Sequence, residues 1–180
     1  MSVLWRPVEE ALEPVDAAQI LADVEERFGI APAVFDEFLI FRSSSKRLSI
    51  VRRGVRVPSR PKPEIVGMPF YRTKGRYPRL TTAAAMRFAP HIQRNVIDLE
   101  DTDMAPLLAN GELILPSERL QNVSHTVDQG MDRDQDRRGG WVLLRRRGFI
   151  LIFALFYSRD DGGGRLIVQL PRTWRDSGSG

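Results

Sequence analysis

Between residues 42 and 94 the chain carries fourteen basic side chains and one carboxylate, Glu64. Arg42, Lys46, Arg47, Arg52 and Arg53 come first. Arg72, Lys74, Arg76 and Arg79 follow around the turn Lys74-Gly75-Arg76-Tyr77-Pro78, with Tyr71 and Tyr77 between them. Cations interleaved with phenol rings suit phosphate contact and base stacking. The turn ends where Thr81 or Thr82 caps a helix, and free N–H groups at such an end can also hold a phosphate. The flanking segments have the opposite sign: 1–41 carries −7 and 95–140 carries −6, against +13 for 42–94 and +4 for 141–180. Charge separated on this scale points to a polyanionic partner. Arg145, Arg147, Arg172 and Arg175 are a second set of candidate contacts. Arg145, Arg146 and Arg147 cannot all face one ligand, because consecutive strand residues alternate faces.

Other chemistries lack their residues. The sequence has no cysteine, which excludes disulfides, thiolate metal sites and thiol nucleophiles and fits a cytoplasmic protein. His91 and His125 are the only histidines, and neither has a second ligand at metal-binding spacing. Glu100, Asp101 and Asp103 sit where they meet the macrodipole of a helix start. Asp132, Asp134 and Asp136 resemble a calcium loop, but Arg137 and Arg138 follow and no bidentate Glu lies downstream. Gly162-Gly163-Gly164 lies between two strands and reads as a hairpin tip. No catalytic residue, cofactor or metal is therefore expected. No apolar run approaches the ~20 residues of a membrane span. The longest, 149–157, reads as a buried strand, and the acidic N-terminus predicts no signal peptide.

The elements that must carry the basic segment follow from periodicity. Residues 1–14 read as an extended leader. Asp16 caps a helix to Phe28, with Ile20, Leu21, Val24 and Phe28 on one face and Gly29 as its stop. Residues 38–42 and 47–53 form a hairpin around Ser43-Ser44-Ser45-Lys46. Residues 55–63, with Pro58, Pro61 and Pro63, are a connector and mark a domain boundary. Beyond it come a strand at 66–73, a helix from Thr81 or Thr82 to Phe88, a strand at 95–99, and a short helix to Ala109. In that last helix Pro106 must sit in the first turn or disturb it. A strand at 113–115, a mobile loop at 116–140, strands at 141–144, 149–157 and 165–170, and a flexible tail at 176–180 complete the chain.

Three stretches carry a family resemblance: Arg94-Asn95-Val96-Ile97-Asp98-Leu99, followed by an acidic helix and Asn110-Gly111; Gly140-Trp141-Val142-Leu143-Leu144-Arg145, then Arg147-Gly148-Phe149; and Gly164-Arg165-Leu166, then Gln169-Leu170-Pro171-Arg172-Thr173-Trp174-Arg175. Pro69-Phe70-Tyr71-Arg72, Thr81-Thr82-Ala83-Ala84 and Phe28-Gly29-Ile30 fit the segments before them. Over residues 20–175 the chain resembles the C-terminal PUA-like extension of the Nop/Sun family of RNA cytosine-5 methyltransferases, without their catalytic domain. The resemblance implies an α+β protein in which a small helix-plus-hairpin module (1–63) precedes a PUA-like small mixed β-barrel (64–175). It also implies a partner that is structured RNA, ribosomal or transfer RNA, and work in ribosome biogenesis or RNA modification beside a separate RNA-modifying enzyme or ribosomal particle. The family's enzymes use cysteines and a glycine-rich S-adenosylmethionine loop, which this chain lacks, so a non-catalytic role is expected. Where the family's pattern places glycines, this chain has Ile150-Leu151-Ile152-Phe153-Ala154-Leu155, which leaves the basic segment as the expected main contact. The alternative is a protein–protein adaptor using its acidic and basic faces.

Overall fold

The computed structural model describes residues 4–74, 79–123, 139–158 and 166–169. It is a mixed α+β protein of small sheets and short helices. The chain divides into two compact units, Met1–Glu26 with Ile30–Arg87, and Arg27–Gly29 with Phe88–Gly180.

The N-terminal stretch expected to be a leader is instead built into the fold. Strand β1 (Trp5–Pro7) runs into a one-turn helix α1 (Val8–Ala11) whose Val8 is fully buried. Helix α2 (Ala18–Phe28) begins as expected, with Asp16 Oδ1 accepting the Ala18 N–H at 3.1 Å. After a 3-10 turn (Pro32–Phe35) come β2 (Phe38–Ser44) and β3 (Arg47–Arg52), the expected hairpin. The connector supplies β4 (Arg56–Pro58), which pairs antiparallel with β1. Two segments without helical or strand periodicity thus form a ribbon some fifty residues apart in sequence, a pairing that local pattern cannot show.

Strand β5 (Met68–Arg72), β6 (Arg79–Leu80) and helix α3 (Thr82–Arg87) complete the first unit. β2, β3, β5 and β6 form one antiparallel sheet in that order. The boundary expected at residue 63 therefore falls inside a unit: the connector loops back, and β5 hydrogen-bonds to β3. Side chains alternate across a strand, and this sheet buries both faces. Ile40, Leu48, Ile50, Tyr71 and Leu80 share one face, and the Tyr71 hydroxyl donates to Asp23 of α2 at 2.5 Å. Leu39, Phe41 and Val51 share the other and pack with Val8 and Val57 of the ribbon segment. Thr81 is the α3 cap: its hydroxyl accepts the Ala84 N–H at 3.1 Å and donates to the Pro69 carbonyl at 2.7 Å, which ties α3 to β5.

The second unit contains β7 (Val96–Asp98), α4 (Asp101–Asn110), β8 (Glu112–Leu115), β9 (Gly139–Arg146), β10 (Phe149–Ser158) and β11 (Leu166–Gln169). Its sheet runs β7-β9-β10-β11-β8, with β7 parallel to β9 and the other pairs antiparallel. Among the described residues β7 and β8 are its two edges, so the sheet does not close into a barrel. Ile97, Leu99, Leu107, Leu113, Leu115, Leu120, Val123, Val142 and Leu144 form its core. Pro106 sits inside α4 beyond the first turn; the carbonyl it leaves without a partner, that of exposed Thr102, is near the helix start and open to water. The expected loop at 116–140 is ordered at its start. A 3-10 turn (Ser117–Leu120) buries Leu120 and Val123, and the Asn122 carbonyl accepts the Asn95 N–H at 2.8 Å. Residues 124–138 and the tail lie outside the described residues.

Gly67 sets how β5 lies on β3. Its φ is +69°, and a Cβ there would stand 2.2 Å from the Ile50 carbonyl oxygen. Gly67→Ala is therefore expected to destabilise the protein by more than about 2 kcal/mol, the left-handed conformation alone costing a non-glycine residue ~1–2 kcal/mol. Urea denaturation measures this, and an unchanged midpoint would show that β5 can shift freely.

Candidate nucleic-acid interface

The basic residues acquire an order from the register. Arg47 of β3 lies directly opposite Arg72 of β5, and Arg72 lies directly opposite Arg79 of β6. Directly paired residues share a face, so the three guanidinium groups form a row across three neighbouring strands. Strands ~4.8 Å apart make this row span about 10 Å. Lys46 and Lys74 flank it: the Lys46 carbonyl accepts the Thr73 N–H at 3.0 Å, which ties the tip of the first hairpin to the end of β5. The serines expected in the turn shape that tip. Ser49 donates to Ser43 at 2.7 Å, Ser43 donates to the Arg47 carbonyl at 3.3 Å, and Ser44 accepts the Lys46 N–H at 3.4 Å.

Neighbouring guanidinium groups in the row repel one another. Arg47 and Arg72 are exposed, and among the described residues no carboxylate pairs with either. Arg79 is partly buried; burial first, and then the charge of Arg72, pulls its guanidinium below the ordinary arginine value. Like charges directly opposite one another destabilise a sheet by ~0.2–1 kcal/mol per pair. On the reverse face, Leu48, Tyr71 and Leu80 in the same register are buried, each contributing ~1.5–3 kcal/mol. The apolar face outweighs the repulsion and holds the cations in line.

Other expected contacts are placed elsewhere. Arg42 pairs with Leu48 and so falls on the opposite parity from the row. Arg52 is five residues along β3 from Arg47, about 17 Å at strand rise, and forms an exposed ion pair with Glu37 at 3.0 Å. Tyr71 is buried with its hydroxyl on Asp23, so its ring is no stacking platform. Arg76, Tyr77, Arg172 and Arg175 lie outside the described residues.

Arg145 and Arg147, expected at an RNA surface, are held by carboxylates within their own unit. Arg145 grips Asp98 through Nε at 2.6 Å and Nη2 at 2.8 Å, and its Nη1 donates to the carbonyls of Ala89 and Ile92. Asp101 accepts from Arg146 at 3.0 Å and Arg147 at 2.7 Å. Arg119, which the sequence did not single out, makes a bidentate pair with Asp103 at 2.9 and 2.7 Å and also donates to the Asp98 carbonyl. Asp103 in turn accepts the Glu100 N–H at 2.7 Å. The acidic cluster thus does more than meet a helix dipole: with Asp98, its Asp101 and Asp103 engage four arginines from β9, the residue after it and the 3-10 turn. The hydrogen bonds from Arg145, Arg147 and Arg119, respectively, are the main cause holding the Asp98, Asp101 and Asp103 carboxyls below the usual carboxylate range. Among the described residues no group of three or more His, Asp or Glu is placed to hold a metal ion, and no helix is long and apolar enough to cross a membrane.

No protein-family model, curated protein or solved structure gives a significant match to the chain.

Two outcomes follow from these charges. Arg72→Gln removes the middle cation and its two repulsions, so urea denaturation at low salt should show a gain of about 0.4–2 kcal/mol that shrinks as salt is added. A loss of stability would mean that Arg72 is a structural residue. In the second unit, lowered folded-state pKa values stabilise the protein above the unfolded carboxylate range and lose that contribution as pH falls through the folded values. Stability should therefore be flat down to roughly pH 5 and fall below about pH 4. Asp103→Asn should cost about 2 kcal/mol near neutrality through its lost charge-assisted bonds and flatten the acid limb of the profile; an unflattened limb would assign the acid sensitivity to other groups.

Proposed function

We propose that this chain is a non-catalytic RNA-binding protein that docks structured RNA, ribosomal or transfer RNA, through the arginine row of its first unit. The observation that carries this reading is the direct cross-strand alignment of Arg47, Arg72 and Arg79. Arg47 and Arg72 are exposed side by side with no carboxylate pairing either among the described residues, and a polyanion gains from such a preformed set of donors. The mixed sheet of the second unit, with β7 parallel to β9, supports reading that unit as PUA-like, in keeping with the resemblance to the Nop/Sun extension. On this reading the protein works in the cytoplasm, in ribosome biogenesis or RNA modification, beside a separate RNA-modifying enzyme or ribosomal particle. Its second unit, with Arg145 and Arg147 engaged by Asp98 and Asp101, contributes less to the contact than the row.

The test is fluorescence anisotropy of a labelled transfer RNA titrated with the full chain at several salt concentrations. Each phosphate neutralised contributes about 0.9 to the negative slope of log K against log salt on a duplex. Arg47→Gln and Arg72→Gln should each weaken binding and reduce that slope by about 1, while Arg52→Gln, outside the row, should change neither. Equal affinity and slope for all four proteins would overturn the assignment.

A further inference from the structure

The ribbon of β1 and β4 carries a second feature that the arginine row does not absorb. Its register pairs Trp5 with Pro58, Arg6 with Val57, and Pro7 with Arg56. Val57 is buried in the cluster with Leu39, Phe41 and Val51, so the Arg6–Val57 face looks into the unit. The opposite face, with Trp5, Pro7, Arg56 and Pro58, therefore looks outward. Trp5 is 50% exposed on that face. Trp is highly buried on average and is enriched where proteins meet partners, so a half-exposed indole on this ribbon is a candidate contact.

Cations adjoin it on the ribbon and directly after it in the chain. Arg56 donates from Nη2 to the Trp5 carbonyl at 2.9 Å, and its stem is the diagonal cross-strand neighbour of Trp5, within reach of an aromatic ring. Arg60 and Lys62 follow directly after β4 and are exposed. Between Glu37 and Glu64 the chain has eight basic residues and no carboxylate. Glu9, on the helix that follows β1, is engaged within the unit and accepts the Gly54 N–H at 2.7 Å. Ser59 ties the end of the ribbon down, its N–H and hydroxyl both donating to the Leu4 carbonyl. The result is a half-exposed indole on an anchored ribbon, in a stretch of chain whose exposed charges are cationic from Arg42 to Lys62.

We propose that the outer face of this ribbon binds an unpaired RNA nucleotide, whose base stacks on Trp5 while Arg56 and Arg60 hold its flanking phosphates. This goes beyond the arginine row, which is a backbone contact, because it adds a base contact selective for single-stranded RNA. Stacking on an aromatic side chain is tolerant of base identity, so the site selects an unpaired base rather than a sequence.

The experiment uses the full chain in a Trp141→Phe/Trp174→Phe background, which leaves Trp5 as the only tryptophan. A short single-stranded oligoadenylate and the same backbone with abasic positions are titrated in. Trp5 fluorescence should quench with the oligoadenylate and not with the abasic chain. Against the oligoadenylate, Trp5→Leu, which keeps the apolar bulk, should lose about 5- to 150-fold in affinity, the range of one stacked base, and Trp5→Phe should retain most of it. Arg56→Gln should lower the salt slope, whereas Trp5→Leu should leave it unchanged. Equal binding of the abasic chain, or equal affinity of Trp5→Leu and Trp5→Phe, would overturn the proposal. Binding of duplex stems by the same variants separates the two sites: failure of the row appears as loss of duplex binding with Trp5 quenching intact, and failure of the ribbon as the reverse.

Discussion

A methyl group has no room at residue 67. The Ile50 carbonyl oxygen would lie 2.2 Å from it, so the backbone of the incoming strand comes as close to β3 as glycine allows. From that point Met68 pairs with Ile50, the ladder slips once between Leu48 and Ser49, and Tyr71 arrives opposite Leu48. One residue further, Arg72 must face Arg47. A strand has a side-chain period of two, so a slip of one residue would send Arg72 into the buried face and Tyr71 outward. The burial of Leu48, Tyr71 and Leu80 and the alignment of the arginines are two consequences of one register. The cations need no attraction to stay together, because the opposite face holds them.

The second unit treats the same side chain in the other way. Arg119, Arg145, Arg146 and Arg147 all have carboxylate partners within the unit. Arg119 and Asp103 are largely buried, with side chains 24% and 10% exposed, and there each group requires the other, since an unpaired charge at such a site is costly. Arginine count alone therefore says little about where a polyanion binds. What separates Arg47 and Arg72 from that set is that the fold brings carboxylates to the latter: Asp98 on β7, and Asp101 and Asp103 on α4.

This contrast explains which parts could be read from the residues. Helix α2, the β2–β3 hairpin, the Thr81 cap and the later strands follow from local signals, namely spacing, caps and turn residues, and they appear close to where those signals put them. The pairing of Trp5–Pro7 with Arg56–Pro58 joins residues about fifty positions apart and leaves no local trace. The burial of Tyr71 depends on the same ladder slip, and without it Tyr71 among arginines reads as a stacking ring. The engagement of Arg145 by Asp98 follows from β7 lying parallel beside β9, which no spacing in the chain announces. The basic segment was visible as a charge imbalance, but the choice of Arg47, Arg72 and Arg79 from within it belongs to the register.

The two features of the first unit meet on one side of its sheet. Along β3, Arg47, Ser49 and Val51 share a face. At the Val51 end that face is apolar, with Leu39 and Phe41 beside it, and the segment bearing Val8 and Val57 covers it. At the Arg47 end the cross-strand neighbours become Arg72 and Arg79, and an apolar cover there would have to desolvate the exposed guanidinium groups of Arg47 and Arg72, which is costly. The change in residue type along the strand thus decides where the ribbon packs and where the sheet stays open. It also leaves the outer face of the ribbon, with Trp5, on the same side of the unit as Arg47 and Arg72, because the ribbon lies on the face that the row continues.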